Sequence, residues 1–379
     1  AILAALVGFD TTSRNSNLPL LDWVEDYLSP YGATCERVFD ETGTKANLFA
    51  TLGPDGAEDG GIILSGHTDT VPVDGQTWQT DPFSLTAKEG KLYGRGTCDM
   101  KGFLAACLAK VPAMAAAPLA RPIHLAFSYD EEVGCLGVIG LVEALGKRGA
   151  QFEACFVGEP TQMDVVTAHK SKRSFTTHFR GLTCHSSLAP LGVNAVAYGA
   201  KLVAAIDQMA DAFANGPRDD MFDMPVSTAH VGVFNGGTAL NIVPAEATID
   251  FEFRVLPTED IDAAVDTIRQ TVAEIDAQMS ARDPSCGVSL EELSAIPGLN
   301  TAPEAEVTAL AKRLAGRNAH TKVAFGTEAG RFHDGLSVPS IVVGPGSIDQ
   351  AHKADEFIAV EQLRRCEAFI DNVIGHQSQ

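Results

Sequence analysis

Four short runs constrain the fold more than any other feature: "GIILSG" (61–66), "IHLAF" (123–127), "ACFVG" (154–158) and "SIVVGPG" (340–346) are apolar at nearly every position. A strand with one face in water alternates, whereas a run apolar throughout is covered on both faces, as in a parallel sheet flanked by helices. Helical stretches such as "KGFLAACLAKVPAMAAA" separate the runs, so the sequence predicts an α/β domain. In such sheets ligands gather beyond the carboxyl ends of the strands. Those ends carry His67, Thr68 and Asp69; Asp130, Glu131 and Glu132; Glu159 and Pro160; and, a short loop after the last run, His352.

Between about 173 and 285 the period changes. "RSFTTHFRG" and "ATIDFEFRVLP" alternate as half-exposed strands, each associated with a long helix, roughly 194–214 and 259–281, with Thr258 as the N-cap candidate of the second. Adding "STAHVGVFNGG" (227–237) and "GVSLEELSA" (287–295) gives the order β-α-β-β-α-β, a ferredoxin-like arrangement. It interrupts the first domain, which is expected over 1–172 and 286–379 around a second domain at 173–285. The length of 379 residues and the 45% hydrophobic content agree with two domains.

No stretch is long and apolar enough to span a membrane. The opening "AILAALVGFDTTS" lacks the basic start of a signal peptide and reads as an amphipathic helix entered midway; with no initiator Met, a few residues are expected to precede it. Eight scattered cysteines without a C-x-x-C pair argue against a zinc ribbon or a disulfide framework and point to a reducing cytoplasm. A formal charge of -21 opposes binding to nucleic acid or anionic lipid.

Three adjacent carboxylates, Asp130 to Glu132, repel one another, so a cation beside them is the alternative to a well-hydrated loop. With Asp99 from "GRGTCDMKG", the strand ends offer imidazole nitrogen and carboxylate oxygen together, which suits zinc, cobalt or manganese better than calcium. Two histidines and several acids can hold two ions when one carboxylate bridges them. Each element alone has an ordinary explanation: a polar turn for H-T-D, a helix-start acid for Asp99, a turn acid for Glu159. Their recurrence at corresponding strand ends favours the metal site. His124, His169, His178, His230, His320, His333 and His376 show no ligand spacing, and Cys98 is expected to be simply buried.

"SGHTDTVP", "LYGRGTCDMKG", "DEEVG", "GEPT" and "QAHKADEF" resemble, in order and over nearly the whole chain, the dinuclear-zinc metallopeptidase family that contains acetylornithine deacetylases, succinyl-diaminopimelate desuccinylases and glutamate carboxypeptidases. The resemblance implies a zinc-aminopeptidase-like catalytic domain with a mixed, mostly parallel sheet and a ferredoxin-like lid and dimerisation domain. It implies that His67 and Glu159 ligate one metal and Glu132 and His352 the other, that Asp99 bridges, that Glu131 is the general base and that Asp69 orients the His67 ring. An extended backbone at Glu131 and Glu132 would send one side chain to a metal and the other to a water held between the ions. That carboxylate can take the proton of the water and deliver it to the leaving amine. In such enzymes the peptide after the bridging acid is often cis, so Asp99–Met100 is expected to be cis. From "GLTCHSSLAPLGVNA" and "GGTALNIVPAEATIDFEFR" the resemblance further implies that His185 stabilises the oxyanion in the partner subunit of a homodimer. Asn241 and Arg254 would then hold substrate, the arginine fork suiting an α-carboxylate.

Within the family, "HTDTVPVDGQTWQTDPFSL", "FGTEAGRF" and "VVGPGSIDQAHKADEF" are more similar to the acetylornithine deacetylases than to the desuccinylases. That implies hydrolysis of N2-acetyl-L-ornithine to L-ornithine and acetate, a step of arginine biosynthesis. Thr327 and Glu328 in "GTEAG" are candidate substrate contacts, Glu328 for the cationic side chain, since a buried ammonium requires a paired acid. The alternatives are a desuccinylase, aminoacylase or carboxypeptidase of the same mechanism, and a non-catalytic metal-dependent binding protein, against which the presence of Glu131 speaks.

Overall fold

The computed structural model describes every residue except Asp55 and Glu58. The chain forms two compact units: one of Ala1–Ala168, Leu299–Lys322 and Thr327–Gln379, and one of His169–Gly298 with Val323–Gly326.

In the first unit the four apolar runs become the strands Ile62–His67, Ile123–Ser128, Ala154–Val157 and Ser340–Val342, each buried at every residue. They lie parallel, in the order Ile123–Ser128, Ile62–His67, Ala154–Val157, Ser340–Val342. The chain steps from Ile62–His67 to a neighbour on one side and then to a neighbour on the other. Connections therefore diverge at that strand, and divergence leaves a crevice at its carboxyl end. Ala46–Leu52 and Thr34–Phe39 extend one edge antiparallel, Val166–His169 and Leu299–Asn300 extend the other, and Thr321–Val323 pairs with Val166–His169 off that path, which makes nine strands in a mixed sheet among the described residues. The helices Lys101–Ala116 and Val360–Gln377 pack together, burying Phe103, Leu104 and Val111 with Phe156, Phe369 and Ile370. The amino-terminal helix is short, Ile2–Val7, with Leu3, Leu6 and Val7 buried. The Asp99–Met100 peptide is cis.

The second unit is an antiparallel sheet in the order Thr228–Gly236, Glu246–Val255, Ser171–Arg180, Gly287–Ile296, joined to the helices Ala195–Ala214 and Ile261–Ser280. This is the ferredoxin-like order. Along Glu246–Val255 the apolar residues Ala247, Ile249, Phe251, Phe253 and Val255 are buried while Glu252 and Arg254 stay half-buried on the other face. Two details correct the sequence reading. A boundary at 285 would sever Gly287–Ile296 from Ser171–Arg180, with which it pairs from end to end, so this unit runs to Gly298 and begins at His169. The second helix is capped by Asp260, whose carboxylate accepts the N–H groups of Asp262 and Ala263, rather than by Thr258. Among the described residues, no helix is long and apolar enough to cross a membrane.

Candidate metal centre

Beyond the carboxyl ends of the parallel strands, His67, Asp99, Glu131, Glu132, Glu159 and His352 converge. His67 ends its strand, and Asp99 precedes the helix Lys101–Ala116. Asp99 turns one oxygen to each histidine: Oδ1 lies 3.1 Å from His67 Nε2 and Oδ2 3.4 Å from His352 Nε2. Glu159 Oε1 is 3.8 Å from His67 Nε2, and Glu132 Oε2 is 2.9 Å from His352 Nε2. Donor atoms of His67, Asp99 and Glu132 lie within 4.8 Å of one another, as do those of His67, Glu131 and Glu159. The strand ends can come this close because Gly158 and Gly344 touch: a Cβ on Gly344 would fall 2.0 Å from the Gly158 carbonyl oxygen.

One expectation about the acidic loop is corrected. Glu131 and Glu132 are not on an extended strand; the loop turns back, with the N–H groups of Gly134 and Cys135 donating to the Glu131 carbonyl and Asp130 at a φ of 53°. Glu131 consequently sits among the donors instead of alternating away from them.

His67 Nδ1–H donates to the backbone carbonyl of Asp69 at 3.0 Å, which fixes the ring and aims Nε2 between Asp99 and Glu159. The Asp69 carboxylate is 3.5 Å from Nδ1 and is engaged elsewhere: it accepts from Ser13 Oγ at 2.7 Å and from the backbone N–H groups of Glu131 and Glu132 at 3.1 and 3.3 Å. Its role in holding the acidic loop was not foreseen from the sequence. Nor was that of Glu356, a buried acid that accepts the N–H groups of Gly96, Cys98 and Asp99 and pairs with buried Arg95 at 2.8 Å. That pair ties the loop of Asp99 to the segment that follows His352. The only hint in the sequence was the placement of Arg95 and Glu356 inside two of the site motifs.

The crowding shows in proton affinities. Burial, with Glu132, Glu328 and Asp99 nearby, pushes Glu131 up to about 8 against the pull of His67. Burial and Asp99 push Glu132 up to about 7, and burial with Asp99 and Glu131 holds Glu159 well above the usual carboxylate range. Burial opposes ionisation of Asp99, but His352 and His67 hold it well below its ordinary value. Hydrogen bonds to Asp99 and Glu132 push His352 up to about 10. Burial alone would depress His67, yet Asp69 and Asp99 hold it well above its ordinary value. Acids that keep protons near neutral pH outnumber the cationic side chains around them. Glu132 Oε1 and Glu159 Oε1 are buried without a hydrogen-bond partner among the described residues, as befits oxygens whose partner is a cation. Mixed nitrogen and oxygen donors, two histidines and a carboxylate facing both fit a pair of divalent ions.

The remaining sequence candidates are not members of the two donor groups. Thr327 is buried and its Oγ1 accepts the Ala329 N–H at 3.1 Å, a helix-start role. Glu328 is fully buried, with Ser65 Oγ 3.5 Å from its Oε2, and burial pushes it up to about 7; in this setting it faces the strand ends and not solvent. In the second unit His185 is exposed, its Nδ1 accepting the Ser187 N–H at 3.2 Å. The Ser186 N–H donates to the Asn241 carbonyl at 2.9 Å, so both motifs of that unit share one exposed rim. Arg254 Nε donates to Glu252 Oε1 at 2.8 Å. Cys98 is buried, with its Sγ donating to the Ser347 carbonyl at 3.2 Å.

Known proteins resemble this chain in sequence and in fold. The profile of peptidase family M20/M25/M40 matches residues 63–376. An acetylornithine deacetylase of Myxococcus xanthus is 35% identical over 383 residues, covering 99% of this chain and 96% of its own. Among solved structures, an M20 family metallo-carboxypeptidase from Sulfolobus solfataricus superposes with a TM-score of 0.78 at 17% identity, over 99% of this chain and 98% of that one. A dinuclear metal binding M20 peptidase from Bacillus subtilis does so with a TM-score of 0.63 at 14% identity, over 98% and 96%. At those identities the likeness is one of fold.

Proposed function

The chain belongs to peptidase family M20/M25/M40, and on that premise we propose that it is a metal-dependent amidohydrolase that cleaves N2-acetyl-L-ornithine to L-ornithine and acetate. The observation that carries the chemistry is Asp99, one oxygen toward each histidine, with Glu131 among the same donors. The near full-length likeness to the Myxococcus xanthus acetylornithine deacetylase supports the substrate.

In this reading His67 and Glu159 would hold one divalent cation, Glu132 and His352 a second, and Asp99 would serve both; Zn2+ suits the donors, with Co2+ or Mn2+ as alternatives. Such ions, when bound, supply Lewis acidity and lower the pKa of water. Glu131 accepts the proton of the attacking water as its oxygen bonds to the acetyl carbon, and gives that proton to the amide nitrogen as the C–N bond breaks. Asp69 keeps His67 and the acidic loop in register. The second unit is assigned the lid and dimerisation role: His185 donates to the developing oxyanion in the partner subunit of a homodimer, Asn241 binds the substrate, and Arg254 takes its α-carboxylate. A cytoplasmic place in arginine biosynthesis belongs to the same reading.

The test is turnover of N2-acetyl-L-ornithine, N-succinyl-diaminopimelate, a neutral acetyl-amino acid and a dipeptide, each with and without chelator. Fastest chelator-sensitive release of acetate from the first is expected. Preference for another substrate would move the chain to that activity within the same chemistry, and no turnover with metal supplied would favour a binding protein.

A further inference from the structure

Asp130 does not belong to the groups of donors, yet the loop of Glu131 and Glu132 starts from it. Its carboxylate accepts from Lys45 Nζ at 2.6 and 2.8 Å, and the two side chains are only 17% and 18% exposed. The same ammonium donates to the backbone carbonyl of Ser13 at 2.5 Å. Ser13 then uses its hydroxyl on Asp69, and Asp69 receives the N–H groups of Glu131 and Glu132. The contacts close into a ring: Ser13 to Asp69, Asp69 to the backbone of the two glutamates, and back through Asp130 and Lys45 to Ser13.

Each anchor of the ring is fixed to the sheet. Lys45 immediately precedes the strand Ala46–Leu52, which pairs with Ile123–Ser128, the strand that leads into the loop. The Ser13 N–H donates to the Thr70 carbonyl at 3.1 Å, and the Thr70 N–H to the Thr11 carbonyl at 3.1 Å, so Ser13 is registered on the segment that carries His67 and Asp69. Turn bonds inside the loop set its shape, whereas the ring sets its place relative to His67. Three consecutive acids would otherwise separate toward water; an ammonium on the first and two N–H bonds from the next two to one fixed carboxylate oppose that.

We infer that Ser13 and Lys45 are positioning residues that clamp the acidic loop from behind, acting on Glu131 and Glu132 through Asp69 and Asp130. The inference rests on the hydrolase reading above, in which Glu131 moves the proton and Glu132 holds a cation. In the full-length, zinc-loaded protein, Lys45→Met lowers kcat about 10- to 100-fold with KM nearly unchanged, and weakens zinc retention against a competing chelator by a similar factor. Lys45→Arg recovers most of both. Ser13→Ala gives a smaller loss of the same kind, because Asp69 keeps its two backbone donors.

A role confined to stability would lower Tm and leave kcat and zinc retention as they are; that pattern in both Lys45→Met and Ser13→Ala overturns the clamp. Should Lys45→Met fail to fold, Asp130→Asn, which keeps volume and removes charge, is read by the same two measurements and decides the matter alone. If the unmodified protein turns over no acyl-amino acid, the hydrolase reading fails by itself, and zinc retention in the variants still decides whether the clamp exists.

Discussion

The two units hold their candidate residues in opposite ways. In the first, His67, Asp99 and Glu159 are buried, His352 alone of the donors being 55% exposed, and two carboxylates, Asp69 and Glu356, pin the backbone of the neighbouring loops through five N–H groups. In the second, His185 and Asn241 lie exposed on a rim, and Arg254, 33% exposed, leans on Glu252 two residues away. Groups that must share ions and a proton gain from fixed geometry, since ordering them during the reaction would add to the barrier. Groups that meet a substrate or a second subunit can reorient at little cost, because their present partners are local and partly hydrated. The contrast is what the proposed division predicts, with chemistry in the first unit and recognition in the second.

Replacing the base attacks the contrast most directly. Glu131→Gln is expected to lower kcat by roughly 10²- to 10⁴-fold with little change in KM; steady-state kinetics showing a mainly KM effect would place Glu131 in binding instead. Next, His185→Ala should cost about 10²- to 10³-fold in kcat if this exposed ring meets the oxyanion. Mixing Glu131→Gln and His185→Ala subunits should then restore activity, because one site of the hybrid has both groups; mixtures as inactive as their components would confine His185 to its own chain. Arg254→Met should raise KM for substrates with a free α-carboxylate by roughly 10- to 100-fold, the worth of a charge-assisted hydrogen bond, and spare the corresponding amides. An equal loss for both would leave Arg254 a partner of Glu252 alone.

A fourth prediction concerns the first unit by itself. Glu131 and Glu132, pushed up to about 8 and 7, take up protons in the folded, metal-stripped protein that the unfolded chain at the same pH does not bind. Stability from that source is full below their ordinary value near 4.5 and is lost as pH rises through 7 and 8. The Tm of metal-stripped protein should therefore fall between pH 6 and 9, and added zinc should remove most of the fall; a pH-independent Tm would mean the acids are not crowded. The smallest effect is expected of Glu328→Gln. Its carboxylate is one of the charges that raise Glu131, so the variant should move the acid limb of kcat to lower pH, without changing the preference for acetylornithine over neutral acetyl-amino acids. A selective KM effect on acetylornithine would return Glu328 to the substrate.

What was legible in the sequence followed from repeating chemistry. Runs apolar at every position read as buried parallel strands, and polar residues just past their ends read as a site, because strand order and strand ends obey general rules. The alternation of "ATIDFEFRVLP" likewise placed Arg254 on the half-exposed face. Ser13, Lys45 and Glu356 were not legible. Each is a single polar residue with no periodic context, and its importance comes from a contact tens or hundreds of positions away: Ser13 with Asp69, Lys45 with Asp130, Glu356 with Asp99. The turn at Glu131 was missed for a related reason, since a positive φ at Asp130 is imposed by surroundings and not by the residue type.

The strand Ser340–Val342 lies between Ala154–Val157 and Val166–His169, although about 170 to 180 residues of chain separate it from them. A ribosome therefore releases His67, Asp99, Glu131, Glu132 and Glu159 long before the strand that fills the gap, and His352 later still. Until then the nascent polypeptide carries a cluster of acids beside an open seam, with the second unit free to fold in the interval. Maturation of the centre is thus scheduled by topology: ion capture by the complete set of donors waits until Ser340–Val342 and His352 have left the ribosome.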